Sequence, residues 1–595
     1  MSGMRTSMRT HACGELRAEH AGARAGVALC GWVAHRRAHG GVTFIDLRDR
    51  EGVVQVVFHP DEAPDAHAAA QHLGAEDVVR VTGAVRLRPA GMVNPNLGSG
   101  EVEVAARTLE VLSAADTPPF PVEDRIEASE DLRLKFRYLD LRRPEMTAVL
   151  RLRHTVNRII RDYMDERGFL EVETPILTRS TPEGARDFLV PSRLWPGTFY
   201  ALPQSPQQLK QLLMVAGQDR YYQIVRCLRD ERPTSERSLE FTQLDVEMSF
   251  VEEEDLFALI EPLYARIVAE TQGVDVPTPF PRMTYDEMMA RYGSDKADLR
   301  YEMELVDLAP AFAETGFEAF ASALASGDAI KGLAAPGGGS LPRKELDQLV
   351  LDAKGRGAAG LVWLVVEEDG VRSPVEKHLS APEIAGITAA TGANPGDLIA
   401  IVADKVDRVN VALDGLRREL AARLGLLPEG AWAFCWLVEP PLFEWSDEEG
   451  KWVSAHHPFT APATDDLDPE TARSRGYDLV LNGFEIGGGS IRIHSADVQH
   501  RVFEALGLSE DEIQEKFGHL LRAFRYGVPP HGGIAMGIDR LVMLLAGKDA
   551  IRDVTAFPKA QSGADPLTGA PAAASDEQLR ELGIRVVAPP VKEEG

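Results

Sequence analysis

Between residues 25 and 112 five short runs follow one another: VALCGWVAHR, GVTFIDLRD, GVVQVVFHP, DVVRVTGAVRLRP and EVEVAARTLEVL. Each is rich in Val, Ile and Phe with partial alternation of period two, and Gly, Pro and Asp mark several of the breaks. Five strands over so short a span suit a small closed barrel of OB-fold type, whose face binds single-stranded nucleic acid. A generic five-stranded β-domain is the plainer alternative.

The Pro-rich stretch Asp116 to Asp124 interrupts this pattern and reads as a hinge. Beyond it, Val149, Leu152, Val156, Ile159 and Tyr163 recur at i+3/i+4 spacing within Thr147 to Arg167. That spacing predicts an amphipathic helix, which Gly168 stops. FLEVETPIL, containing Pro175, reads as a strand, and YYQIVRCLRD, FTQLDVEMSF and YDLVLNGFEIGGGSIRIH read as antiparallel strands bounded by loops. From about residue 290 to 425 the composition shifts to Ala and Gly, with helix-like and strand-like stretches alternating. An α/β module inserted between two parts of a larger domain is the expectation there. The tail from about Ala560, rich in Ala, Pro and Gly, is expected to be extended.

Charge narrows the function classes. Lys and Arg number 64 against 92 Asp and Glu, a net charge of −28. Such a chain is neither coated in nucleic acid nor spread on a membrane surface. Between Arg133 and Arg161, however, nine basic residues face two acidic ones, Asp140 and Glu145, and HRRAHGG (His35 to Gly41) forms a second cluster. An acidic chain can bind RNA through such patches, and a solvated basic face is the alternative. No apolar run approaches the roughly 18 residues of a membrane span. The start, MSGMRTSMRTHACGEL, lacks the apolar core of a secretory signal, so a cytoplasmic protein without membrane association is expected. Cys13, Cys30, Cys227 and Cys435 lie far apart with no CxxC pair, as isolated core thiols do.

Three separated stretches carry the chemistry. FLEVETPIL follows the long helix. RCLRDERPTSERSLEFTQLDVE holds Arg229 and Glu231 at Arg-x-Glu spacing, a charged loop, and Phe241 on a returning strand. GGIAMGIDRLVMLL leads from Gly532 to Gly537, Ile538, Asp539 and Arg540 at the head of an apolar helix. In this order they resemble motifs 1, 2 and 3 of class II aminoacyl-tRNA synthetases. With STPEGARDF, QSPQQLKQLLM, HHPFT and FEIGGGSIRIH, the chain resembles bacterial-type aspartyl-tRNA synthetases over nearly its whole length. The resemblance implies an α+β multidomain protein. Its expected parts are an OB-fold anticodon domain at 1–113, a hinge at 114–145 and an antiparallel-sheet catalytic domain at 146–290 and 426–560. An inserted α/β domain at 291–425 and an extension at 561–595 complete it.

Activation of an amino acid requires its α-carboxylate to attack the α-phosphate of ATP in line, so fixed cations and Mg²⁺ are the general solution. Arg229 resembles the motif 2 arginine that contacts both groups, and Asp230 and Ser238 flank it in the family's ATP set. Glu231 resembles the acceptor of the adenine amino group, and Phe241 the ring beneath the base. Gly537, Ile538, Asp539 and Arg540 match motif 3, whose arginine holds the far end of a bent ATP. Asp478 and Glu485 match family positions for Mg²⁺, whose oxygen ligands carboxylates supply. They lie seven residues apart, which on one strand places them on opposite faces, so a bulge or bend at Asn482-Gly483 is expected. Lys210 and Arg492 match the pair that clamps the aspartate side chain. Glu183, Gln207, Gln243 and Asp245 match residues around the ammonium, with Ser205 beside them and His456 or His457 closing over the substrate. No nucleophile is required, because the oriented substrates react directly.

For tRNA, anticodon bases in a single-stranded loop are the expected target. Phe44 and Gln55 match the stacking and reading residues of the family's OB-fold, and Glu101 is a further match with Glu103 as its rival. Departures are Ser238 where relatives carry Gln, and Val402-Ala403-Asp404 where they carry Gly-Ala-Asp. His39 stands where enzymes strict for the aspartate tRNA often have Leu; histidine occurs there in relatives that also charge the asparagine tRNA. The expected protein is thus an aspartate–tRNA ligase, a homodimer using ATP, L-aspartate and tRNA(Asp). An asparaginyl- or lysyl-type synthetase and a non-catalytic tRNA-binding paralogue are the rivals. Two cations suit a carboxylate rather than an amide or amine, and intact Arg229, Glu231, Glu485 and Arg540 suit catalysis.

Overall fold

The computed structural model describes residues 5–180, 185–447 and 449–587. The chain packs as two units: Met1–His154 with Arg232–Ser238 and Ala546–Ala573, and Thr155–Glu231 with Leu239–Leu545 and Ala574–Gly595.

In the first unit β1 (Val27–His39), β2 (Val42–Asp49), β3 (Gly52–Phe58), β4 (Val78–Leu87) and β5 (Val102–Ser113) close into a barrel in the order β1-β2-β3-β5-β4. Neighbours are antiparallel except β3 and β5. One alternation set, including Leu29, Val33, Ile45, Leu47, Val54, Val56, Val81 and Val104, fills the interior. Closure pairs the strand edges, which a small open sheet would leave exposed. A helix, Pro64–Ala70, intervenes between β3 and β4. Its core-facing residues are Ala66 and Ala70, too small to show as an apolar stripe in the sequence. The basic cluster is largely consumed internally. Arg137 and Arg143 both pair with fully buried Asp140, and Arg142 reaches Glu76 at 2.7 Å.

The second unit centres on an eight-stranded mixed sheet in the order β11-β17-β20-β21-β22-β10-β9-β6. Its strands are β6 (Leu170–Glu171), β9 (Arg220–Leu228), β10 (Glu240–Ser249), β11 (Arg282–Thr284), β17 (Phe434–Val438), β20 (Gly476–Leu481), β21 (Phe484–Ile491) and β22 (His531–Gly537). The predicted helix spans Pro144–Asp165, with Val149, Val156, Ile159 and Tyr163 buried as the spacing requires. FLEVETPIL, by contrast, yields only the two-residue β6. Pro175 has no N–H to donate and restrains Thr174, so the ladder ends early. Small hairpins are formed by β7 (Leu189–Pro191) with β8 (Phe199–Ala201) and by β18 (Phe443–Ser446) with β19 (Lys451–Ser454).

Between β11 and β17 lies the inserted module. Its sheet runs β12 (Val306–Asp307), β13 (Ala329–Ala335), β16 (Leu398–Asp404), β14 (Val362–Glu367) and β15 (Gly370–Arg372). Alternate residues feed two cores. Leu333, Trp363, Leu398 and Val402 face one, while Ile330, Leu364, Ile399 and Ile401 face the other. Helices Arg343–Gly355 and Val406–Arg423 cover the first core.

The tail is not wholly extended. Asp576–Leu582 forms a short helix, started by a capping box between Ser575 and Gln578. All four cysteines are free, with Cys13, Cys227 and Cys435 buried. Among the described residues no helix is long and apolar enough to cross a membrane.

Candidate functional site

The second unit's site is laid out by the period of β10. Phe241, Gln243, Asp245 and Glu247 alternate onto one face, while Thr242, Leu244 and Val246 are buried between them. Register extends this face across the sheet. Asp245 is paired with Ala535 on β22, Ala535 with Gly488 on β21, and Gly488 with Asp478 on β20. One cross-strand row therefore carries a carboxylate at each end over a floor of Gly and Ala. At about 4.8 Å per strand the ends are separated by roughly 14 Å.

At the β10 end four charges are sealed from solvent. Lys210, on helix Gln207–Val215, lies 2.7 Å from Asp245 and 3.3 Å from Glu247. Arg492 gives Nε and Nη2 to the two oxygens of Glu247. Its Nη1 donates to Ser490 Oγ at 2.7 Å and meets His457 Nε2 at 2.6 Å. Burial works to raise the Glu247 carboxyl, but Arg492 and Lys210 outweigh it and hold the group down at about 2. Burial pushes Asp245 up despite Lys210, and pushes His457 well below the usual imidazole range, with Arg492 adding to the effect. His457 Nδ1 accepts the Phe459 N–H at 3.2 Å, so the ring is fixed with Nε2 turned to the guanidinium. Apart from the Lys210 ion pair, the Asp245 oxygens have no hydrogen-bond partner among the described residues. Such a carboxylate suits an incoming ammonium.

The remaining amino-acid candidates surround this group. Gln207 donates to Gln211, which in turn meets buried His531 at 3.1 Å. Gln243 accepts from Cys227 Sγ, and Ser205 precedes the Lys210 helix, half-buried. Glu183 lies outside the described residues. The nearby Ala185 has its N–H and carbonyl both held by Gln204.

Along the same face the ATP candidates follow. The Arg229 guanidinium lies 5.1 Å from the Phe241 ring centre, and its buried Nε has no partner among the described residues. Asp230 is exposed and Glu231 half-buried in the loop after β9. Gly537 pairs with Gln243 at the end of β22, and buried Ile538 begins helix Ile538–Leu545. Asp539 is turned to the scaffold, since its carboxylate accepts the Thr242 N–H at 2.7 Å. Arg540 donates to the Glu485 carbonyl. Ser238 closes the segment 232–238, which groups with the first unit.

The spacing of Asp478 and Glu485 resolves through a hairpin. Asn482 (φ 53°) and Gly483 (φ 85°) both take the left-handed conformation of a tight two-residue turn. Val480 then opposes Glu485, and a bulge follows, so Asp478 opposes Gly488. Both carboxylates reach one face from neighbouring strands, where the odd spacing no longer separates them. A Cβ at Gly488 would press on an Asp478 oxygen and stand 4.0 Å from a Glu485 oxygen. The missing side chain leaves a cradle between the two acids. Burial, then Glu485 and Asp295, push Asp478 well above the carboxylate range. Glu485 is held low by Lys296 and Arg540 against the effect of burial. Two carboxyl groups facing one open cradle fit a divalent cation, which would favour the ionised form of both. No set of three or more His, Cys, Asp or Glu among the described residues forms a self-sufficient metal cage. A cation held by two carboxylates and completed by phosphate oxygens matches the habit of Mg²⁺.

On the barrel Phe44 is half-buried and points away from the interior held by Ile45 and Leu47. It opposes Arg37, and His39 is exposed at the β1–β2 hairpin end. Gln55 joins an outward row in which Arg37 donates to its amide oxygen at 3.1 Å and it donates to Glu103 at 2.8 Å. Arg86 completes the row on Glu103 at 2.8 Å. Of the two rival acids, Glu103 is the one that joins the Gln55 row. Glu101 is an exposed turn residue that precedes β5, whereas Glu103 lies within the strand and is paired with Gln55.

Glu247, Ser490, His531 and Lys296 were missed as site residues. For Glu247 the signal was available, since it continues the period-two series 241, 243, 245. Lys296 lies in a loop distant in sequence from Glu485, and no periodicity links the two.

Comparison with known proteins places the chain in a family. The model of class II tRNA synthetases (D, K and N) matches residues 129–561, and that of the OB-fold nucleic acid binding domain matches 27–112. An "Aspartate--tRNA(Asp/Asn) ligase" of Moorella thermoacetica is 53% identical over 98% of this chain and 97% of its own. One of Oleidesulfovibrio alaskensis is 54% identical over 97% of this chain and 95% of its own. Among solved structures, asparaginyl-tRNA synthetase from Pyrococcus horikoshii with asparaginyl-adenylate is similar in fold, with a TM-score of 0.59 at 21% identity. That match covers 93% of this chain and 98% of the other. The chain belongs to the class II tRNA synthetases of the D, K and N group, in the family of aspartate–tRNA ligases.

Proposed function

We propose that this protein joins L-aspartate to tRNA(Asp) in two steps, and accepts tRNA(Asn) as a second tRNA. Aspartate and ATP first form aspartyl-adenylate and pyrophosphate; the aspartyl group then passes to the 3′-terminal adenosine of the tRNA. The observation that carries the reading is the buried Lys210–Arg492 pair beside Asp245. Lys210 and the Nη1 edge of Arg492 supply donors for a side-chain carboxylate, while the Asp245 oxygens await an ammonium. An amide would leave its NH₂ facing cations, which is the kind of mismatch a buried site rejects.

Arg229 would neutralise charge developing on the α-phosphate, with Phe241 beneath the adenine and Arg540 toward the far phosphates. Asp478 and Glu485 would hold Mg²⁺, which when bound supplies positive charge to the phosphate oxygens. Held in this way, the substrate carboxylate attacks without a protein nucleophile. The barrel face with Phe44, Gln55 and Glu103 suits unstacked anticodon bases. The names of the relatives and the exposed His39 support the wider tRNA range. We further infer a homodimer working in the cytoplasm, where its substrates are made. Exposed Leu170, Ile176 and Leu177, at 54%, 59% and 52%, lie at the end of motif 1, where this class joins its subunits.

Exchange of labelled pyrophosphate into ATP tests the reading. It should require aspartate and ignore asparagine and lysine. Exchange driven by either of those instead, or none at all, would overturn it.

A further inference from the structure

Among the described residues the ion pairs of Asp245 and Glu247 run to Lys210 and Arg492, whereas the Lys296 ammonium lies 3.2 Å from Glu485 Oε2. It is carried on the loop after Gly293, where the chain leaves the large sheet for the inserted module. That loop is firmly built. Asp298 is buried, is clasped by Arg300 (Nε–Oδ1 3.0 Å, Nη2–Oδ2 2.6 Å) and packs against the turn at Gly483. From the inserted module, fully buried Arg417 on helix Val406–Arg423 donates to the carbonyls of Asp298, Tyr301 and Met303 at 2.7, 3.0 and 3.1 Å. Its guanidinium lies 4.8 and 4.3 Å from the ring centres of Tyr292 and Tyr301. Helix, arginine and loop form one continuous support ending at the Glu485 carboxylate.

The charges around that carboxylate explain the arrangement. Asp478, Glu485 and nearby Asp295 are acidic, and Arg540 is engaged with the Glu485 backbone carbonyl. Lys296 is the cation placed on the Glu485 side chain among the described residues. An ammonium and a divalent cation compete for the same oxygen lone pairs. We infer that Lys296 is a built-in counter-cation, positioned by the inserted module, that holds Glu485 in the metal-free site and is displaced when a divalent cation enters. The inference rests on reading Asp478 and Glu485 as the cation pair of the adenylation site. It gives the inserted module a task in catalysis, namely keeping the cradle charge-balanced until a cation enters. A site whose lysine is in place nine-tenths of the time binds its metal about tenfold more weakly than the bare site.

The test is binding of Mn²⁺ alone to the full-length, ATP-free protein, read from the electron paramagnetic resonance signal of the free ion. Parent, Lys296→Met, Lys296→Gln and Lys296→Arg are compared after circular dichroism confirms folding. Met and Gln should each bind one Mn²⁺ about tenfold more tightly than the parent. Arg should stay near the parent, and Lys296→Met with Glu485→Gln should lose the gain. Affinity that is unchanged, weaker or undetectable in the folded Met or Gln variant overturns the inference, as does a gain that survives the double substitution. Because no amino acid or ATP is present, this outcome is separate from the exchange assay. A failed Mn²⁺ response beside intact aspartate-dependent exchange removes the role of Lys296 and leaves the function standing.

Discussion

Arg492 meets Glu247 through two parallel hydrogen bonds, Nε to Oε1 at 2.9 Å and Nη2 to Oε2 at 3.0 Å, with both side chains sealed from solvent. This geometry uses one edge of the planar fork for the scaffold and directs Nη1 toward Ser490 and His457. On the proposed reading, a substrate carboxylate would be met by a donor whose direction is already set, which would reduce the ordering cost of binding.

Arg492→Leu would remove that donor and leave Glu247 buried with only Lys210 as a cation. Truncating one member of a buried hydrogen-bonded charge pair costs about 2–5 kcal/mol, or roughly thirty- to several-thousandfold in rate. Aspartate-dependent pyrophosphate exchange should fall by that factor while circular dichroism stays native-like. Near-parental exchange in the folded variant would contradict the assignment.

The same pair makes a prediction about acid. The Glu247 carboxyl titrates near 4.3 in the unfolded chain and is held at about 2 in the folded protein. A depressed folded value contributes stability that is fully present above the unfolded value and is lost as pH falls from there toward about 2. Glu247→Gln cannot ionise, so its melting temperature should lie below the parent's at pH 7, and the difference should shrink between about pH 4.5 and 2. A constant difference across that range would show that Glu247 is not ionised in the fold.

Much of this was legible from residues because strands advertise their faces. The barrel alternation located β1 to β5, and the odd spacing of Asp478 and Glu485 called for a bulge or bend at Asn482-Gly483, which the structure forms as a hairpin turn followed by a bulge. The choice between Glu101 and Glu103 stayed open in the sequence because it needs the register of β3 with β5, and that register places Gln55 opposite Glu103. The strand expected through FLEVETPIL shrank to two residues because local β propensity does not supply a partner for the backbone past Thr174-Pro175. Lys296 and Arg417 were invisible for a different reason. Their neighbours, Glu485 and the carbonyls of 298–303, lie more than a hundred residues away, and pairing at that range has no local pattern to read.

The end of motif 1 leads to a prediction about assembly. β6 is a two-residue edge strand, and Leu170, Ile176 and Leu177 are exposed beside it. Edges and apolar side chains left open in this way are covered by a second copy in a closed twofold. Sedimentation equilibrium at micromolar concentration should give twice the chain mass of 65.0 kDa. Ile176→Glu with Leu177→Glu should shift the protein toward monomer. A parent that sediments as a stable monomer would refute the dimer.

The barrel offers a way to separate tRNA selection from chemistry. Phe44 stands on the outward face, opposite Arg37 and two residues from Asp46, while the interior beneath is completed by Ile45 and Leu47. Removing its ring should therefore spare the core and cost one stacked base, about 1–3 kcal/mol, or roughly ten- to a hundredfold in charging. On the proposed reading the aspartate-site residues and Arg229, Phe241 and Arg540 all belong to the second unit, so a change on the barrel is expected to act independently of adenylate formation. Phe44→Ala should accordingly depress aspartylation of tRNA(Asp) while pyrophosphate exchange stays within about twofold of the parent. A parallel fall in both reactions in a folded variant would show that Phe44 is no anticodon contact. His39 lies on the same outward alternation as Arg37, at the exposed hairpin end, so His39→Leu serves as the companion. It should lower charging of tRNA(Asn) more than that of tRNA(Asp). Equal effects on the two tRNAs would place the discrimination elsewhere on the barrel, with the Gln55–Glu103 row as the next position to alter.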